Sequence, residues 1–162
     1  MGPLLIWALR AVEDFAPDIL AAWAENRRLH TQVHHTRASA RSRAALDAFL
    51  NDLAARGAPL PTIRQPGRLV AAGTYIAGLT GATAAQVTNR IQLPTWSHYR
   101  DRNPGPVPLP TPIWGRIGGR PWTETIDFTE AAGLMRHLGT ACSIVLSYLT
   151  GQRSGENRAD ST

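Results

Sequence analysis

The sequence contains no lysine, a single cysteine and no long apolar run. The lone cysteine, Cys142, excludes an intramolecular disulfide and a cysteine-rich zinc site. No segment approaches the roughly 18 consecutive apolar residues that a membrane span needs, so no association with a membrane is expected. The short apolar stretch at residues 4–9 lacks the basic residues that begin a signal peptide. We therefore expect a cytoplasmic protein.

Because lysine is absent, all 17 basic side chains are arginines; with 12 acidic residues the formal net charge is +5. One explanation for the use of arginine without lysine is phosphate recognition, since a guanidinium makes bidentate contacts that an ammonium group cannot make. The other is a mutational bias, since the chain is also rich in Ala, Gly and Pro. With either origin, a pI near 10.6 favours attraction to polyanions, nucleic acids first.

The length of 162 residues and an apolar content of 43% predict one folded domain, or two small ones. Apolar residues recur at helical intervals in residues 3–15, 18–29 and 46–53, with Pro17 restarting the chain after the first helix. Thr80 or Thr83 is expected to cap a further short helix that continues to Ile91 and is followed by Pro94. Residues 62–78 fit no single pattern.

Proline then alternates with other residues, which excludes a helix and a central strand. The alternating prolines are Pro104, Pro106, Pro108, Pro110 and Pro112. The segment is expected to be extended, polyproline-like and largely hydrated, and to act as a spacer or as a ligand for an aromatic-lined groove. The glycines at 115, 118 and 119 predict a turn without the spacing of a nucleotide-binding loop, so no cofactor is expected.

The last helix is the clearest. Asp127 and Glu130 have capping-box spacing, and apolar residues follow at helical intervals to Leu149. Gly151 stands just past these residues, at the position where glycine commonly ends a helix. The predicted fold is therefore mainly α: a bundle-like helical region, an irregular arm and one long helix. Residues 1–93 form the helical region, which is a candidate for DNA binding. Residues 94–123 form the arm, and residues 124–162 contain the long helix.

Five arginines form the main candidate for contact with DNA. They are Arg27, Arg28, Arg37, Arg41 and Arg43. One interpretation is a surface that follows phosphates with a steep salt dependence; the other is an ordinary solvated helix face. His30, His34 and His35 lie among them, but no third metal ligand of suitable spacing is evident, so no metal is expected.

The end of the last helix carries the second candidate site. Gly151 ends the apolar helix, Arg153 follows two residues later, and Glu156 follows after three more. A turn fixed by a helix can project a guanidinium towards a phosphate, and a nearby carboxylate can orient it. The alternative is an ordinary helix end with a surface ion pair.

The stretch from Tyr148 to Glu156, YLTGQRSGE, resembles the first arginine box of the tyrosine recombinases, the phage-type site-specific integrases. The upstream Pro121-Trp122 and Ile126-Asp127-Phe128 resemble the entry to the catalytic domain in actinobacterial members, and residues 7–20 resemble an upstream helical region more weakly. The resemblance covers residues 121–156 well. Gln152 stands where the family usually has Leu or Met.

The resemblance implies DNA strand breakage and rejoining through a covalent phosphotyrosine. It implies that Arg153 binds the scissile phosphate and that Glu156 supports it. The family's lysine, H-x-x-R element and nucleophilic tyrosine have no counterparts in the 162 residues. Tyr148 cannot be that tyrosine because it lies in the apolar helix before Arg153. We therefore expect a truncated or frame-shifted integrase that binds DNA but is catalytically incomplete, with an apolar last helix that is exposed or drives self-association. The alternative is a non-enzymatic helical interaction module that uses the proline arm or the last helix.

Overall fold

The structure, a computed structural model, describes residues 2–151. Of these residues 63% are helical, which confirms the predicted mainly α fold. The described chain divides into two compact units. The terminal unit contains residues 2–23, 111–126 and 130–151, and the central unit contains residues 24–110 and 127–129.

The first helices follow one another without a break. They are α1 (Pro3–Arg10), a π-helical turn (Ala11–Phe15) and α2 (Ala16–His35). The predicted interruption at Pro17 is therefore wrong. The π-helical turn ends two residues before this proline. Its shifted backbone hydrogen-bond pattern lets the helix accommodate a residue that has no amide donor.

The core of the terminal unit forms where α7 (Ala131–Thr150) packs against the first helical residues. Phe15, Ile19 and Leu138 are buried together, and Trp122 stacks on Phe15 with ring centroids 5.0 Å apart. The predicted end of α7 is confirmed, because Gly151 adopts the left-handed conformation with φ of 65°. Burial of these apolar side chains supplies the main stabilisation of this unit.

A buried carboxylate fixes the loop that precedes α7 in the terminal unit. Asp18 is fully buried and accepts hydrogen bonds from the backbone N–H groups of Trp114 (3.0 Å) and Gly115 (2.9 Å) and from Trp122 Nε1 (2.8 Å). The loop continues into a two-stranded hairpin of β4 (Arg116–Ile117) and β5 (Arg120–Pro121). Its two turn residues are glycines with positive φ, as a two-residue hairpin turn requires, which confirms the predicted glycine turn.

The central unit contains the second part of α2 and four further helices. These are α3 (Ala40–Ala55), α4 (Gly73–Thr80), α5 (Ala84–Ile91) and α6 (Pro94–Arg102). Of the two predicted caps, Thr80 and Thr83, it is Thr83 that caps α5, in a reciprocal capping box with Gln86. Pro94 begins α6, since proline is tolerated in the first turn of a helix. The irregular segment therefore begins at Asn103 rather than at residue 94.

The ambiguous residues 62–78 form strands and the start of α4. Strand β1 (Leu60–Gln65) pairs with β2 (Arg68–Ala71) in an antiparallel hairpin, with Ile63 opposite Val70. The short strand β3 (Pro104–Gly105) pairs parallel with the start of β1, which gives the order β2-β1-β3. The proline of β3 lies on an edge strand, where a missing N–H donor is tolerated.

The proline arm is not largely hydrated, contrary to the prediction. Val107 and Leu109 are 1% and 2% exposed, whereas the prolines between and beside them are exposed. The backbone N–H of Val107 donates to Asp127 Oδ2 (3.1 Å), and the N–H of Phe128 donates to the Val107 carbonyl (2.8 Å). Alternate residues of an extended chain point to opposite sides, so prolines face water while apolar side chains enter the core.

The predicted capping box at Asp127 is also wrong. Its carboxylate accepts hydrogen bonds from the N–H and hydroxyl of Thr129 at 2.9 Å and 2.6 Å, in a turn before the helix. Helix α7 begins at Ala131, and Glu130 at the cap position makes no side-chain cap. The competing turn and the contact with Val107 occupy the carboxylate.

Candidate nucleic-acid interface

The basic side chains are concentrated in one of the two units. The central unit contains eleven arginines and five carboxylates, a formal charge of +6. The described part of the terminal unit contains four arginines and five carboxylates, a formal charge of −1. A unit with this net positive charge attracts polyanions and loses that attraction as salt is added.

The five predicted DNA-contacting arginines all lie in the central unit and are all exposed. Arg27 and Arg28 lie in α2, Arg37 in the short link after it, and Arg41 and Arg43 in the first turn of α3. The structure thus places the set along two consecutive helices and their connection. Whether these arginines bind DNA stays a prediction.

Within the part of the chain that the structure describes, Arg28 is the member of this set that is bound to other side chains. Its guanidinium donates to both carboxylate oxygens of Glu25 at 2.7 Å and to Gln32 Oε1 at 2.9 Å. The hydrogen bond raises the pKa of Arg28 and lowers the pKa of Glu25. Both partners remain partly exposed, so the pair contributes little stability, but it reduces the charge that Arg28 can offer to a ligand.

The structure adds arginines that the sequence analysis did not single out. Arg64 and Arg68 lie on the β1–β2 hairpin and are exposed. A signal was present in the sequence, because no carboxylate side chain occurs between Asp52 and Asp101, over the hairpin and helices α4 and α5. A long acid-free segment in a basic chain indicates a surface that avoids repelling an anion.

A cavity of about 540 Å³ opens among the hairpin, α4, α5 and α6 of the central unit. Its lining includes the basic residues Arg68 and Arg100 and the polar residues Thr88 and Gln92. Tyr75 also lines it, but its hydroxyl donates to the Pro108 carbonyl at 2.7 Å. Burial above all, with the negative charges of Asp127 and Glu25, raises the pKa of Tyr75, so the phenol stays protonated and acts as a structural donor.

A shallower groove runs on another side of α5. It is lined by Arg43 of α3 and by Gln86, Asn89, Arg90 and Leu93. Arg90 Nε lies 2.6 Å from Asp47 Oδ1, but the two atoms are not aligned as a hydrogen bond. Arg90 is therefore neutralised by α3, whereas Arg43 forms no ion pair within the described residues.

The histidines among the arginines do not form a metal centre in the described residues, which contain no cluster of three potential ligands. His30 instead stacks on Phe128, with ring centroids 5.1 Å apart. His34 and His35 are exposed at the end of α2.

The predicted phosphate ligand Arg153 and its supporting Glu156 lie outside the described residues, which end at Gly151. Helix α7 leads directly to them. Near its end Leu146, Tyr148 and Leu149 are 60%, 59% and 72% exposed, so this part of the helix is apolar and uncovered.

No protein-family model, no curated protein and no solved structure matches this chain. Within residues 2–151, no helix is long and apolar enough to cross a membrane.

Proposed function

We propose that the chain binds double-stranded DNA through the central unit and belongs to a site-specific integrase of the tyrosine recombinase type. In this proposal the terminal unit supplies the first long helix of the catalytic domain, α7, which leads to the arginine box. DNA as the partner also implies a cytoplasmic location. No metal or cofactor takes part in the proposed binding.

The separation of charge between the units is the observation that supports DNA binding best. The central unit carries +6 while the described terminal unit carries −1, although both contain exposed helical surface. A mutational bias towards arginine would raise the count everywhere, but it would not by itself remove carboxylates from one long segment. Arginine beside exposed amide and hydroxyl groups is the composition of phosphate-binding surfaces.

The integrase part of the proposal is supported by the sequence around the end of α7. Gly151 ends the helix in the left-handed conformation, as expected of the glycine two residues before Arg153. In this role Arg153 binds a phosphate oxygen and Glu156 orients the guanidinium. The 162 residues supply no lysine and no tyrosine after Tyr148, so they hold only part of the catalytic set and bind DNA without cutting it.

A second candidate function is supported by the uncovered end of α7. Three large side chains there, Leu146, Tyr148 and Leu149, are more than half exposed. Isolated exposed apolar residues are common, but three within four positions can form a contact with another protein or a second copy. This function predicts no dependence of binding on the arginines of the central unit.

The test is fluorescence anisotropy with a labelled 30-bp duplex of arbitrary sequence, titrated at several salt concentrations between 50 and 200 mM. For a protein that neutralises Z phosphates, the logarithm of the association constant falls against the logarithm of salt with a slope of about −0.9Z. We expect a steep negative slope. Replacing both Arg41 and Arg43 with alanine in one variant should make the slope shallower by about 1 to 2.

The matched control is Arg116→Ala with Arg120→Ala, which removes the same charge from exposed positions of the terminal unit. This control should leave the slope unchanged. If both double variants change it equally, only the total charge of the chain matters and the central unit is not the binding surface. A dissociation constant that is the same at 50 and 200 mM salt would refute DNA binding altogether.

A further inference from the structure

The central unit contains two short helices joined by a tight turn. Helix α4 ends at Thr80, residues 81–83 form the connection, and α5 begins at Ala84. Gly81 adopts the left-handed conformation with φ of 68°. Thr83 then caps α5 through the reciprocal box with Gln86. A glycine that ends one helix and a threonine that starts the next fix this connection locally, with only three residues between the helices.

The inner faces of both helices are buried. Ile76 and Ala77 of α4, Ala82 of the turn and Val87 of α5 are each fully buried. Helix α4 also packs unusually close to α2, because a Cβ added at Gly78 would lie 2.7 Å from Leu29 Cδ2. The first helix is thus embedded in the unit and can hold the second in a fixed position.

Helix α5 presents an exposed face without charge. Its members recur at helical intervals and are small or carry amide and hydroxyl groups. They are Ala84, Ala85, Thr88, Asn89 and, just past the helix, Gln92. The two alanines at the beginning leave room for close approach. Amide side chains can pair with the N6 and N7 atoms of adenine, and threonine can contact the methyl group of thymine.

Arginines flank this neutral face on two sides. Arg43 lines the groove that Asn89 also lines. Arg68 and Arg100 line the cavity that Thr88 and Gln92 also line. A helix in the major groove of B-DNA lies between two phosphate backbones about 12 Å apart, so it needs cations beside it and neutral polar groups on its outer face.

We infer that α4, the turn and α5 form a helix-turn-helix that reads base edges in the major groove, with α5 as the recognition helix. This inference rests on the proposed DNA binding and adds a definite site and a sequence preference to it. Thr88 and Asn89 read bases, and Arg43 and Arg68 hold the backbones on either side. Arg100 lies beside Arg68 but is paired with Asp101 at 2.7 Å, so it offers less charge to a phosphate. Asp47 holds α5 against α3 through Arg90.

The experiment uses the full chain and two kinds of probe. A random duplex library is first enriched by rounds of binding to the unchanged protein, and the enriched duplex and a scrambled duplex are then compared by anisotropy. Thr88→Ala with Asn89→Ala is the test variant. Asn51→Ala with Thr95→Ala is its control, because both residues are exposed, uncharged and in the central unit but outside α5.

We expect the library to yield a preferred sequence that binds more tightly than the scrambled duplex. The α5 variant should lower that preference about tenfold and leave the salt slope on the scrambled duplex unchanged, because a lost base contact removes selectivity without removing phosphate contacts. The control variant should keep both the sequence preference and the salt slope. Circular dichroism spectra and melting curves that match those of the unchanged protein exclude loss of fold as the cause.

Two outcomes separate this inference from the proposal on which it rests. Steep, salt-dependent binding without any enriched sequence, or with a preference that the α5 variant keeps, overturns the helix-turn-helix and leaves DNA binding by the central unit intact. Absence of binding to every duplex at 50 mM salt overturns both.

Discussion

Replacing Asp18 with asparagine should destabilise the terminal unit strongly although the two side chains have nearly the same shape. The Asp18 carboxylate is fully buried and accepts three hydrogen bonds. The donors are two backbone N–H groups and the indole of Trp122, and none of them has a second partner among residues 2–151. An asparagine can present its oxygen to one side only. Its NH₂ group must then face a donor.

The magnitude follows from the geometry. Asp18 Oδ2 accepts from Gly115 N at 2.9 Å and Trp122 Nε1 at 2.8 Å, and Oδ1 accepts from Trp114 N at 3.0 Å. The best orientation of asparagine keeps the first two bonds and leaves the Trp114 N–H and its own NH₂ unpaired. Each fully buried unpaired donor costs about 1–3 kcal/mol, and the Trp114 N–H is only partly buried, so we expect a loss of about 2–4 kcal/mol. That is a large part of a typical stability of about 5–15 kcal/mol.

The assay is urea unfolding followed by circular dichroism at 222 nm. With a denaturant dependence of about 1–3 kcal/mol per molar urea, this loss lowers the midpoint by about 1 M or more. Asp14→Asn is the control, because it removes the same charge from an exposed position four residues earlier. A midpoint for Asp18→Asn within about 0.3 M of the control would refute the view that this carboxylate fixes the loop.

Two further substitutions test the packing and the capping of α4 and α5. Gly78→Ala should cost about 1–3 kcal/mol because its methyl group would lie 2.7 Å from Leu29 Cδ2, whereas Gly139→Ala in α7 meets no atom within 4 Å and should stabilise by up to about 1 kcal/mol. Equal midpoints in urea for these two variants would contradict the close packing. Thr83→Ala should cost about 1 kcal/mol through loss of the acceptor for the Gln86 N–H at 3.1 Å, again measured by the urea midpoint, and an unchanged midpoint would show that the cap is dispensable.

Helical periodicity and end signals predicted much of the fold because they act over a few residues. Thr83 with Gln86 and the glycine at 151 are local devices whose hydrogen bonds or backbone angles close within a turn. The prediction failed where a distant partner decides the outcome. Asp127 has the spacing of a helix cap, but the proline arm brings the Val107 N–H to its carboxylate, 20 residues away in sequence.

Two predictions that rest on proline are wrong, one about helix continuity and one about burial. Pro17 was expected to restart the helix, but a π-helical turn before it lets the helix continue. The prolines of the arm were expected to keep it in water, but Val107 and Leu109, which lie between them, are buried. A proline removes one donor and fixes one dihedral angle, and neither restriction determines what the neighbouring side chains bury.

The candidate site could be predicted only in part. Sequence alone found the arginines at residues 27–43, because clustered charge is visible without a fold. It did not find Arg68, which lines one cavity with Arg100, 32 residues further along the chain, because the hairpin and α6 are brought together. The arginine box at Arg153 remains a sequence-based prediction, since its residues lie beyond Gly151.

The sequence does not reveal the uncharged face of α5 either, for a related reason. A search for DNA-binding residues that follows charge finds the phosphate contacts and passes over the groups that read bases, because those groups are neutral amides and hydroxyls. Thr88 and Asn89 become candidates for base contacts only because the structure places Arg43 on one side of the helix and Arg68 on another. In the proposed complex with DNA, affinity and selectivity reside in different residues of the central unit, so charge variants and α5 variants should have separable effects on binding.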